Sequence, residues 1–151
     1  MINYNQDFYS WTKEQAALLK AGRFSEIDVD NLIEEVETMG RSEKRALESR
    51  LSVLLLHLLK WYYHSERRGN SWKFTIDEQR LRFQKVLKQN PGLKSEIAEI
   101  LTDAYEFAAL KASHETGLRP SIFPETCPWT LEQLWQTDFY PGLYKLTHSF
   151  A

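Results

Sequence analysis

Arg50 and His57 are the pair of residues in this chain best spaced for chemistry. Seven positions apart, they span almost two helical turns, so both side chains leave one face about 10 Å apart along the axis. An arginine can bind an anion, and a neutral imidazole can take or give a proton. His57 also lies inside the apolar run Val53 to Leu59, which favours a plainer structural role. A buried imidazole must satisfy its ring N–H and lone pair, because leaving either unpaired costs about 1–3 kcal/mol. The expected acceptor is a carboxylate or carbonyl of a neighbouring helix. Glu34 or Glu37 could serve if the chain reverses at Gly40, and Thr75 or a nearby backbone oxygen if it does not.

A second concentration of chemistry runs from Lys60 to Lys94. There nine basic residues meet three acidic ones, a net +6 inside a chain whose total is −2. Trp61, Tyr62, Tyr63, Trp72, Phe74 and Phe83 are interleaved with them. Cations beside aromatic rings can follow a phosphate backbone and stack bases. The surface expected to contact a protein or nucleic-acid partner comprises Lys60, Arg67, Arg68, Ser71, Lys73 and Arg80. Arg67 to Trp72 also brings basic residues to a helix N-terminus, where free backbone N–H groups favour anions. The competing expectation is internal. If the helices flanking Asn90-Pro91-Gly92 pair antiparallel, Arg82 meets Glu99, Arg80 meets Asp103, and the row Glu96, Glu99, Asp103 and Glu106 neutralises the basic one.

Other chemistries find less support. His57 and His64 are too far apart to share a metal, and no His-x3-His, Glu-x2-His or paired cysteine set exists. Glu34, Glu35 and Glu37 read as dipole-stabilising residues near a helix start. Cys127 is the one cysteine, has no basic neighbour to activate it, and reads as structural. No cofactor motif and no metal site are expected. The N-terminus lacks the pattern of a signal peptide, and Leu51 to Leu59 is far short of the ~20 residues that span a bilayer. These features describe a cytoplasmic, non-enzymatic interaction module with no membrane partner, and they leave a homodimer open. The alternative is a catalytic use of Arg50 and His57.

Helical periodicity dominates the elements that must position these groups, and the 42% hydrophobic content suffices for a core. One all-α domain over residues 1–151 is expected, a bundle of four to five main helices with an extended Pro-rich C-terminal segment outside it. A first helix runs from about Asp7 to Ala21, burying Phe8, Trp11, Leu18 and Leu19, and ends at Gly22. Asp28 or Asp30 caps a second, whose Val29, Leu32, Ile33, Val36 and Met39 recur at three and four. The stripe resumes at Leu47, Leu51, Leu54 and Leu58 with almost no slip in phase, so Gly40 reads as a kink or brief interruption rather than a reversal. A third helix starts at a cap on Asn70 or Ser71 and buries Trp72, Ile76, Phe83 and Leu87. Asn90 then caps a fourth, with Pro91 in its first turn, that ends at Gly117. Pro120, Pro124 and Pro128 hold the extended segment, with Ile122, Phe123 and Trp129 against the bundle. A short helix opens on the capping box Thr130-x-x-Gln133, and the tail beyond Pro141 is loosely held.

Asn31 to Glu43, His57 to Trp61, Ser71 to Ile76 and Cys127 to Leu131, with Asp7 to Trp11 and Asp138 to Pro141 at the ends, form a joint pattern. It resembles domain-of-unknown-function family 29, a bacterial family common in photosynthetic organisms, over about residues 5–141. That resemblance implies an all-helical bundle and no assigned activity. Phe74 stands where the family pattern leads one to expect a smaller or charged residue. Separately, Arg50-x6-His57 resembles the loose Arg-x(4–6)-His pattern of HEPN-type helical ribonucleases, which implies RNA cleavage with Arg50 as phosphate clamp and His57 as acid–base group, although Leu51 replaces the polar residue that usually follows the arginine there.

Overall fold

A computed structural model describes residues 1–142 of the chain. The described residues are 76% helical and contain no strand. Five helices are formed: α1 (Phe8–Lys20), α2 (Val29–Tyr63), α3 (Asn70–Gln89), α4 (Ile97–Thr116) and α5 (Leu131–Trp135). The all-α class and the order of its elements are as the periodicity predicts. The expectation of a loosely held tail beyond Pro141 concerns residues 143–151, which lie outside the described residues. By packing, the chain divides into two compact units, Met1–Ser42 and Glu43–Ala151.

The first unit holds α1 and the opening turns of α2. Asp7 caps α1 by accepting from the Ser10 N–H at 3.0 Å. Asp28 stands at the cap position expected for α2, its carbonyl accepting the Leu32 N–H at 3.0 Å and its carboxylate a backbone bond from Asn31, and it binds two side chains as well. One carboxylate oxygen accepts from Trp11 Nε1 at 3.0 Å and from Asn31 Nδ2 at 2.8 Å. Those bonds, Asn31's first, hold the Asp28 carboxyl below its usual range. The Asp28 N–H donates to the buried Gln15 side chain at 2.7 Å, and Tyr4 reaches Glu35 while its ring packs edge-on to Trp11. Polar fastening around Trp11 therefore holds this unit. Phe8 and Leu19, expected inside, are exposed, as are Val29, Ile33, Val36 and Met39.

The second unit is built on the leucines of α2. Leu47, Leu51, Leu54, Leu55, Leu58 and Leu59 are fully buried against Ile76, Phe83 and Leu87 of α3 and Ile100, Ala104, Ala108 and Ala112 of α4. Phe123 and Leu134 close this core from the C-terminal segment, as expected for Phe123, while Ile122 stays exposed. Gly117 ends α4 in the left-handed conformation with φ +75°, and Thr130 and Gln133 form the predicted capping box on α5. Two caps differ from expectation. Asn70 is the first residue of α3, not its cap. Asn90 turns back to the Val86 carbonyl at 2.9 Å and Glu43 at 3.1 Å, and the chain makes a 3-10 turn from Pro91 to Glu96 before α4 begins.

α2 runs through Gly40 without a break, so the interruption expected there does not occur. A Cβ at Gly40 would meet no atom within 4 Å. Gly40→Ala should therefore stabilise the protein by about 0.5–1 kcal/mol, through the lower chain entropy of alanine. Urea unfolding checks this, and a loss of stability would show that the helix needs glycine there.

Candidate functional site

Arg50 and His57 do share one face of α2, and both are half-buried. His57 bonds within its own helix, contrary to the expected cross-helix partner. Its Nδ1 lies 2.9 Å from the Val53 carbonyl one turn back. A carbonyl can only accept, so this bond fixes the ring proton on Nδ1. The reason is geometric: the Gly40 segment does not reverse, which removes Glu34 and Glu37 as partners, while the i−4 carbonyl is always within reach in a helix. Burial is the main cause that pulls the His57 pKa below the usual histidine value, and neighbouring Lys60 adds to it. Arg50 makes no hydrogen bond or ion pair among the described residues.

The six-residue basic surface does not assemble as expected. Arg80 is only 1% exposed and belongs to the interior. Its Nε donates to the Leu134 carbonyl at 2.7 Å, and its Nη2 to Phe139 at 2.6 Å and Gln133 at 3.4 Å. Helix phase explains this placement, since Arg80 falls on the same face as Ile76, Phe83 and Leu87. That signal is present in the sequence, and counting Arg80 as a surface cation passes over it. Tyr140 adds a 2.6 Å bond to Asp77, and Gln84 a 3.0 Å bond to the Trp135 carbonyl. Together Asp77, Arg80 and Gln84 clasp residues 133–140 onto α3.

Lys60 is also engaged, 3.6 Å from Glu115 and over the ring of Trp72 at 4.9 Å. Arg68 donates to the Trp61 carbonyl at 2.6 Å and lies over that residue's ring. Arg67, Ser71 and Lys73 are the expected site residues left exposed, with no side-chain partner among the described residues apart from water-facing space. The anticipated pairing of Arg82 with Glu99 and Arg80 with Asp103 does not form. Glu96 and Glu99 meet Lys44 of α2 at 3.1 and 3.7 Å, and Arg82 reaches Glu78 on its own helix at 3.5 Å. The 3-10 turn after Asn90 sets α4 in a different register from the tight antiparallel pair that the expectation assumed.

A cleft of about 490 Å³ is lined by Tyr105, Glu106, Pro124, Glu125 and Cys127 among others. Its ionisable groups are poorly suited to nucleophilic work. Burial pushes the Tyr105 hydroxyl up to about 12 and raises the Cys127 thiol as well. Among the described residues no cluster of three or more His, Cys, Asp or Glu could hold a metal ion. No described helix is long and apolar enough to cross a membrane.

What the sequence reading missed is apolar surface. On α2, Val29, Ile33, Val36 and Met39 are 50–61% exposed. On α3, Phe74 and Leu81 are 66% and 69% exposed, and with Asp77, Glu78, Arg82 and Lys85 they line a shallow groove of about 500 Å³. Contiguous apolar surface of this kind marks interaction sites in soluble proteins. The α2 signal is legible as periodicity; the structure adds that these side chains are exposed among the described residues.

Two variants test these assignments. Arg80→Met keeps the apolar stem and removes the guanidinium from three carbonyls. Urea unfolding should show a loss of about 3 kcal/mol, against less than about 0.5 kcal/mol for Arg67→Met. Equal effects would mean the clasp contributes nothing. For His57, a folded pKa below the unfolded value means the unfolded chain binds more protons between the two. Stability should then fall as pH drops below the ordinary histidine value of about 6.5, and His57→Gln should flatten that decline.

Residues 3–140 match the model of a family described as Domain of unknown function DUF29. No curated protein and no solved structure matches the chain.

Proposed function

The chain belongs to that family, whose description names no activity, and we propose that it is a non-enzymatic bacterial module that binds a protein partner in the cytoplasm. The observation that supports this reading is the bare face of α2 in the first unit. Its apolar residues follow the spacing of the leucines that form the core of the second unit, yet Val29, Ile33, Val36 and Met39 meet solvent. Exposing four large apolar side chains on consecutive turns has a solubility cost that a binding role would explain.

A protein fits better than a nucleic acid. Of the five cations first assigned to a basic surface, Arg80 and Lys60 are committed inside the fold, and Arg68 is held by Trp61. The exposed α2 face is instead bordered by Asp30, Glu34 and Glu37, which repel phosphate. RNA cleavage by Arg50 and His57 is supported less well. The two groups lie on one open helix face, and the clefts described above do not include them.

Capture from cell extract tests the reading, with the wild-type chain and an Ile33→Asp/Val36→Asp variant as baits. Both positions are exposed, so helix content should be unchanged. A protein retained by the wild type and lost with the variant supports the proposal. Identical captures would contradict it, and a steep loss of RNA retention on raising salt would point to phosphate contacts.

A further inference from the structure

We infer that the bare α2 face of one copy docks on the α3 face of a second copy of this chain. The inference rests on the reading of the chain as a protein-binding module and names the partner. The two faces match in length. Val29 and Val36, like Phe74 and Leu81, lie seven positions apart, close to two turns and about 10 Å of helix. Both have an apolar centre. On α3 that centre is a groove between Phe74 and Leu81, able to receive the smaller branched side chains of Val29, Ile33 and Val36.

Their charges are opposite. From Asp28 to Glu37, α2 carries five carboxylates and no base. Asp28 and Glu35 are used within the first unit by Trp11, Asn31 and Tyr4. Asp30, Glu34 and Glu37 remain exposed, with Arg41 reaching the last two at 3.1 and 3.7 Å. On α3 the groove holds two carboxylates, Asp77, which accepts from the Tyr140 hydroxyl at 2.6 Å, and Glu78, and no further one follows before the helix ends at Gln89. Arg82 is shared with Glu78, while Lys85 and Lys88 are exposed without a partner among the described residues.

Complementarity decides which faces meet. Two α2 faces would set acid against acid, and two α3 faces would bring their unpaired lysines, Lys85 and Lys88, together, each an unfavourable like-charge contact. The crossed pairing alone buries both apolar centres and neutralises both rims. A nucleic acid on α3 would leave the α2 face uncovered.

Sedimentation of the purified full chain tests this with two charge-reversed forms, Glu34→Lys/Glu37→Lys and Lys85→Glu/Lys88→Glu. All four positions are exposed, and circular dichroism checks that both forms keep the wild-type helix content. The wild type should associate with rising concentration, and each reversed form should associate about tenfold more weakly or worse. An equimolar mixture of the two should recover association, because the reversed α2 face of one then meets the reversed α3 face of the other. Recovery on mixing cannot come from misfolding. A wild-type chain that stays monomeric, or a mixture that fails to associate, overturns the self-docking inference. The broader reading would then stand or fall on the capture experiment, which does not depend on a second copy.

Discussion

Covering the leucine face of α2 is the constraint on which the second unit depends. Six leucines between Leu47 and Leu59 lose all contact with water. Each such burial is worth roughly 1.5–3 kcal/mol. α3 supplies large side chains to this face, whereas α4 presents Ala104, Ala108 and Ala112 at four-residue intervals. Small residues there let the α4 backbone come close, as the Ser52 hydroxyl at 3.4 Å from the Ala104 carbonyl shows. The C-terminal segment then seals the remaining edge with Phe123 and Leu134.

That seal is where the buried arginine matters. Residues 133–140 form little regular structure, so their carbonyls need partners from elsewhere. Arg80 meets this need with three donated bonds from one rigid group, which a lysine could not match geometrically. Burial draws its pKa down, while nearby Asp77 and Asp138 act in the opposite sense. A chain segment rich in apolar residues is thus fixed by a polar clasp. The first unit uses the same device on a smaller scale, with Asp28 gathering Trp11 and Asn31.

Much of this could be read from sequence, because helix periods, glycine stops and capping boxes are local signals. Gly117, Thr130 and the leucines of α2 behave as their spacing requires. The errors arose where a side chain's fate depends on long-range packing. Arg80 has the phase of a core residue and the chemistry of a surface one; only its carbonyl partners, more than 50 positions away in the chain, resolve the conflict. Val29 to Met39 pose the reverse problem. Their period is that of a buried stripe, but periodicity says which face is apolar and not what covers it. His57 likewise found its acceptor in the nearest turn. Which apolar stripe is covered is set by long-range packing, which no motif encodes.

The central claim is that the α2 face between Val29 and Met39 is bare in the free chain and covered when the protein associates. Hydrogen exchange followed by mass spectrometry, at low and high concentrations of the purified chain, measures this directly. Amides of residues 29–39 should exchange quickly in dilute solution and gain protection as concentration rises. Those of residues 47–59, already sealed in the core, should be slow at both. Strong protection of residues 29–39 in dilute solution, or no change in them while α3 alone responds, would contradict the account.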